Sequence, residues 1–179
     1  PACRRGFPTP WVSFARFSGL AKLFPKSKLF NRYNMSYLSE DDEYEIDSCS
    51  GAFQMSRREV LDKIGYLDDN FYMYGEDIDW CYRAKQAGWK VYYYPKTVIL
   101  HYKGYLSGKS ATKKRHNPRP TWEFHRAMVL FYDKNYKDKY PRIFRFLIKL
   151  AVWLRYLVIA RGRMHPDANF NGNPNPYAK

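Results

Sequence analysis

The stretch Tyr66–Arg83, reading Tyr-Leu-Asp-Asp-Asn-Phe-Tyr-Met-Tyr-Gly-Glu-Asp-Ile-Asp-Trp-Cys-Tyr-Arg, constrains this chain most. A glycine, Gly75, interrupts an aromatic run, and two adjacent carboxylates, Glu76 and Asp77, follow it. Acids are favoured at helix N-termini by the dipole. Asp79 and Arg83 form an acid-before-base i,i+4 pair, so a helix is expected from Glu76 to about Ala87, stopped by Gly88. A carboxylate beside apolar bulk can act as a general base, and a neighbouring acid helps to tune it. The same acids also suit a plain helix start. This stretch alone leaves both readings open.

Glycine and proline punctuate the flanks. A short helix is expected from Ser13 to Phe24, stopped by Pro25, and an acidic solvated loop over residues 39–45. Ile46–Met55 reads as a strand with Gly51 inside it, where another group approaches the backbone closely. Ser56-Arg57-Arg58-Glu59 has the spacing of a capping box, giving a helix to about Ile64 that ends at Gly65. Strands are expected at Trp89–Tyr94, ended by Pro95, and at Val98–Tyr102. Helices follow at Thr121–Asn135 and Pro141–Arg161, and the tail after Met164 reads as disordered.

Charge divides the chain. Residues 1–35 carry seven Lys/Arg and no acid, residues 36–80 thirteen acids against three bases, and residues 81–179 twenty-one bases against four acids. The basic flanks suit anionic partners: a nucleotide diphosphate, a lipid diphosphate, an anionic membrane surface or nucleic acid. Aromatics make up 19% of the chain, with 17 Tyr, which favours a carbohydrate or another flat ligand; amphipathic packing is the other reading of so many tyrosines. Cys3, Cys49 and Cys81 are odd in number and lack Cys-x-x-Cys spacing. They read as reduced thiols of a cytosolic protein. The length of 179 residues suits one domain with a sizeable core, and the start at Pro1 without Met leads us to expect a fragment or a processed form.

The order Cys49-Ser50-Gly51-Ala52-Phe53, Arg57-Arg58-Glu59, Gly65-Tyr66-Leu67-Asp68-Asp69, Tyr74-Gly75-Glu76-Asp77, Arg83, Ala87-Gly88-Trp89, Tyr94-Pro95 and His101 resembles the family 2 inverting glycosyltransferases of GT-A fold. It looks most like the bacterial branch containing rhamnosyltransferases of cell-surface polysaccharides. The resemblance runs from about Arg5 to Tyr156 and is strongest from Asp47 to His101. It implies an α/β protein: an incomplete GT-A (Rossmann-like) fold, with a small mixed sheet, flanking helices and a C-terminal helical extension. The expected divisions are a basic N-terminal segment and acidic loop at 1–45, an acceptor-side half of the catalytic domain at 46–120, helices at 121–163 and a tail at 164–179.

The resemblance also implies roles. Asp77 would be the base that takes the acceptor hydroxyl proton, with Glu76 orienting the acceptor or tuning Asp77. Ser50, Gly51 and Ala52 match the family's glycine loop, where donor sugar or acceptor approaches closely; a small-residue packing point is the other reading. Tyr74, Trp80, Lys103 and Lys109 would contact donor or acceptor. His101 has the position of a late histidine that meets the metal or the diphosphate; a packing role is as well supported. A nucleotide-sugar donor and a divalent cation, Mg or Mn, are implied, with a glycan or lipid-linked acceptor. The family's metal-binding Asp-x-Asp ends an earlier strand, and no candidate precedes Asp41, which implies that the nucleotide-binding half is missing. Asp77-Ile78-Asp79 does not replace it, because residues two apart on a helix face away from each other.

Other readings remain. Gly104 to Ser110 imitates a nucleotide P-loop, but three residues separate its glycines where four are needed. Pro141–Arg163 is apolar but interrupted by Arg145, Lys149 and Arg155, too charged to span a bilayer. It suits an interfacial helix on the inner face of the cell membrane, or a core-packed terminal helix. A basic nucleic-acid-binding module and a noncatalytic protein-interaction domain are the competing functions, although the motif order leads us to expect no nucleic acid.

Overall fold

A computed structural model describes residues 3–101 and 118–160. It contains β1 (Arg4–Arg5), α1 (Pro10–Phe17), α2 (Leu20–Leu23), β2 (Tyr44–Ile46), β3 (Ser48–Cys49), α3 (Arg58–Ile64), α4 (Glu76–Gln86), β4 (Val91–Tyr93), α5 (Pro118–Asn135) and α6 (Arg142–Ala160). Two compact units result. One comprises Pro1–Leu67 and Asp77–Leu100, the other Asp68–Glu76 and His101–Lys179.

In the first unit the sheets are two antiparallel pairs, not the single mixed sheet expected. In β1–β3, Arg4 is opposite Cys49; in β2–β4, Tyr44, Glu45 and Ile46 are opposite Tyr93, Tyr92 and Val91. The expected strand Ile46–Met55 breaks because Asp47 turns out of the ladder, its Oδ2 accepting from Phe7 N at 3.1 Å. After Cys49 the backbone enters a turn, so Gly51 lies outside any strand. Val98–His101 is not a strand either: Val98 and Leu100 are 91% and 78% exposed, and an unpaired extended run has no ladder to hold it. Tyr102 lies outside the described residues.

The expected helix from Ser13 to Phe24 is two helices. Thr9 caps the first, its hydroxyl accepting from Val12 N at 3.3 Å, and Pro10 takes the first helical position, where no N–H is needed. Ser18 ends it and Gly19, at φ 90°, reverses the backbone before α2. The capping box does not form: α3 starts one residue late, with Arg57 at the N-cap and Ser56 Oγ turned to Arg57 O.

The core of this unit gathers Val60, Trp80, Cys81 and Ala84, with Phe7, Cys49, Ile64 and Trp89 packed against them. Polar ties then fix α4 within it. Trp80 Nε1 donates to Gly65 O at 2.9 Å. Arg83 Nε donates to Asp79 Oδ2 at 2.9 Å, and its guanidinium also reaches Ile64 O and Tyr66 O. Lys85 pairs with Glu45 at 2.8 Å and donates to Ile46 O at 3.0 Å. Asp79 is fully buried, which a carboxylate tolerates only when paired and hydrogen-bonded.

In the second unit α5 packs along α6, with Trp122, Tyr156 and Ala160 at the centre. Pro118 and Pro120 sit in the first turn of α5, where proline costs no hydrogen bond. α5 also grips residues 68–75: Lys134 pairs with Asp68 at 2.6 Å, Arg126 donates to Asn70 O at 2.9 Å, and Arg119 stacks on Tyr72. Along α6, Ile143, Phe146, Leu150, Trp153, Leu154 and Val158 are exposed. Among the described residues no helix is long and apolar enough to cross a membrane.

Candidate functional site

The carboxylate of Asp77 is held by two backbone amides in the first unit. It lies in the first turn of α4, half-buried, beside the turn Ser50–Ala52. Gly51 N donates to Asp77 Oδ2 at 2.8 Å, and Ile78 N donates to Oδ1 at 2.8 Å. The hydrogen bond, and not the lack of a side chain at residue 51, fixes this approach. A Cβ there would stand 3.4 Å from Asp77 Cβ and 3.7 Å from Oδ2. Ser50 is anchored from the other side, its N–H donating to Cys3 O at 2.7 Å, while Gly51 and Ala52 are exposed. A carboxylate has about four lone-pair positions. Two amides hold this one in place and leave it able to accept a further hydrogen bond, or a proton, from a bound hydroxyl.

The backbone just before α4 is strained. Tyr74 has φ 70° and Gly75 φ 87°, two consecutive left-handed residues. Tyrosine there costs on the order of 1 kcal/mol or more, a conformation that persists only when its surroundings impose it. Here the Tyr74 ring meets Phe124 of α5 edge-on at 5.9 Å, and a Cβ on Gly75 would lie 3.2 Å from the Phe71 ring. The strain and the contribution of α5 were missed by reading residues alone. The dipeptide Tyr74-Gly75 directly before two acids was the available signal.

The remaining expected residues divide. Trp80 is 8% exposed and packs in the core, with its indole hydrogen bonded to Gly65 O. Asp79 points to Arg83 and Asp77 to Gly51, so the pair does not converge on one ion. His101 is exposed and belongs to the second unit, as does Glu76. Lys103 and Lys109 lie outside the described residues. Among the described residues no group of three or more His, Cys, Asp or Glu could hold a metal ion.

Beside the site, the thiols of Cys49 and Cys81 approach to 3.9 Å, with Gln54 Nε2 donating to Cys81 at 3.1 Å. The hydrogen bond with Cys49, reinforced by burial, pushes the Cys81 thiol well above the usual range, while the Cys49 thiol is lowered by its hydrogen bond with Cys81.

These features define an α/β protein that presents an amide-held carboxylate at a helix start, under a glycine turn. Residues 17–135 match the family model described as glycosyltransferase-like family 2, and the chain belongs to that family. It is 30% identical over 90 residues to N-acetylglucosaminyl-diphospho-decaprenol L-rhamnosyltransferase of Mycobacterium tuberculosis, covering 50% of this chain and 29% of the relative. It is 35% identical over 57 residues to rhamnosyltransferase WbbL of Escherichia coli, covering 32% and 22%. With a low-salt glycan biosynthesis hexosyltransferase of Haloferax volcanii the identity is 32% over 79 residues, covering 44% and 22%. The chain thus spans less than a third of these relatives. No solved structure matches it.

Proposed function

We propose that this chain is the acceptor-side part of an inverting glycosyltransferase of GT-A fold. The complete enzyme transfers a sugar, rhamnose by analogy with the named relatives, from a nucleotide-sugar donor to a polysaccharide or lipid-linked acceptor. The observation that carries the reading is the Asp77 carboxylate fixed by Gly51 N at 2.8 Å. In the inverting step the acceptor oxygen bonds to the anomeric carbon as the bond to the nucleotide diphosphate breaks on the opposite face. The acceptor proton passes to Asp77. A base that is already held needs no reordering when the hydroxyl arrives. Glu76 orients the acceptor, and the exposed Ser50–Ala52 turn lets sugar approach the backbone. Tyr74, 37% exposed, offers a ring edge to sugar. His101, Lys103 and Lys109 serve the diphosphate. Trp80 supports the helix from the core.

The divisions 1–45, 46–120, 121–163 and 164–179 are the functional segments of this reading. The protein works on the cytoplasmic face of the membrane as a peripheral enzyme. The exposed apolar residues of α6 and its bases support that placement, although Lys149 is engaged with Asp133 at 2.7 Å. The test is transfer by the full-length polypeptide, offered a panel of nucleotide sugars and a polyprenyl-diphosphate glycan. The expected result is one preferred donor and a product of inverted anomeric configuration by NMR. Tight, steeply salt-dependent binding of nucleic acid with no sugar transfer would replace this reading with the nucleic-acid one.

A further inference from the structure

The first unit exposes an aromatic patch that the carboxylate site does not use. On α1, Trp11 and Phe14 occupy one outward face, three residues apart, while Val12 and Ala15 are buried on the other. The segment that follows α2 folds back onto this face. Trp11 Nε1 donates to Leu29 O at 3.1 Å, and Trp11 packs against Phe14 at 5.8 Å and Phe30 at 5.9 Å. Phe30 in turn meets Phe24 at 5.2 Å. Despite these contacts Trp11, Phe14 and Phe24 remain 44%, 56% and 49% exposed, and Leu23 and Leu29 are 72% and 59% exposed beside them. A contiguous apolar surface of this kind marks an interaction site more often than a scatter of single residues does.

Charge selects the partner. Lys22, Lys26 and Lys28 are exposed around the patch, and residues 1–35 contain no acid. A ring platform for sugar would be expected to carry carboxylates or free amides for the hydroxyls. The segment that forms this surface, within residues 1–35, supplies no carboxylate. Asn31 donates to Pro25 O and Ser36, and its Oδ1 accepts from Asn34. Aromatic rings and leucines rimmed by lysines instead match the headgroup level of a bilayer, where amphipathic rings settle and cations meet anionic lipid. We propose that the α1–α2 segment, through Trp11, Phe14, Leu23, Phe24 and Leu29 with Lys22, Lys26 and Lys28, is a docking surface for an anionic lipid bilayer. This deepens the reading of a peripheral enzyme and rests on it. It adds a contact in the first unit that is separate from α6.

The test is Trp fluorescence of the chain with vesicles of brominated phosphatidylcholine containing phosphatidylglycerol. In a Trp153→Phe background that silences α6, quenching should vanish when Trp11→Phe is added and return when Phe24→Trp is added to that variant. Changing Lys22, Lys26 and Lys28 together to Glu should lower the partition coefficient by roughly 100-fold, about fivefold for each lysine. The same lysines changed to Gln guard against any effect of the new acids on folding. Asp77→Asn should bind vesicles like the parent chain, so a failure of the catalytic reading leaves this result untouched. Vesicle binding without any quenching assignable to residue 11 or 24 would overturn the proposal and leave α6 as the membrane contact. So would a Trp11 emission change produced by soluble glycan and not by vesicles.

Discussion

Replacing Arg83 by Met should destabilise the chain more than replacing its fully buried partner Asp79 by Asn. Arg83 is 21% exposed, whereas its partner Asp79 is fully buried at 2.9 Å. Removing the guanidinium takes away the cation that meets the Asp79 carboxylate at 2.9 Å and leaves that carboxylate fully buried. Loss of one partner of a buried pair costs about 3–5 kcal/mol, and the access of solvent to Arg83 argues for the low end, about 3 kcal/mol. The freed carbonyl of Tyr66 is solvated at little cost because that residue is 72% exposed. For a chain of this size the loss corresponds to a fall in Tm of roughly 6–12 °C. Asp79→Asn should cost less, because the charge it orphans reaches water and keeps its bonds to Ile64 O and Tyr66 O. Urea denaturation of both single variants and of the double variant gives the coupling directly. A loss below about 1 kcal/mol for Arg83→Met, or a larger loss for Asp79→Asn, would refute the argument that the buried carboxylate depends on Arg83.

Other consequences are testable on the same chain. Gly75→Ala, forcing a side chain at φ 87° and 3.2 Å from the Phe71 ring, should cost about 1–3 kcal/mol by urea midpoint; a neutral result would mean that the turn is not imposed. Burial, then the charge of Arg155, lowers the pKa of His125 below 6.5 against the opposing Thr121 carbonyl. The unfolded state therefore takes up its proton first. The stability His125 contributes is complete above about pH 6.5 and declines as pH falls below it. Thermal melts from pH 7.5 to 5.5 should show that slope, flattened in His125→Asn. Alkylation of the native protein should label exposed Cys3 first and buried Cys81 last; mass spectrometry finding Cys81 modified as fast as Cys3 would contradict the packing of α4.

The long elements were legible because their signals are local and redundant. α4 ends at Gln86, one residue from its expected end, because Gly88 can take φ 91° and Asp79–Arg83 bridges a helical turn. α5 and α6 begin and end within a few residues of the periodic apolar pattern. What escaped depended on partners distant in the chain. Nothing near Gly51 says that its N–H leaves the strand ladder for Asp77, or that Asp47 accepts from Phe7 and breaks the strand. The strain at Tyr74 was hidden for the same reason: it is held by Phe124, fifty residues on. At the site, the identity of the carboxylate could be read from motif order, but the amides that hold it could not.

The central claim is that Asp77 takes the acceptor proton. The most direct measurement is the turnover and donor affinity of Asp77→Asn in the full-length enzyme. The carboxamide keeps the shape and can still accept from Gly51 N, but it cannot take a proton at neutral pH. The account predicts turnover reduced by at least about 100-fold with donor Kd unchanged within about threefold. Turnover within about threefold of the parent enzyme would contradict it and leave Asp77 as a structural helix-start residue.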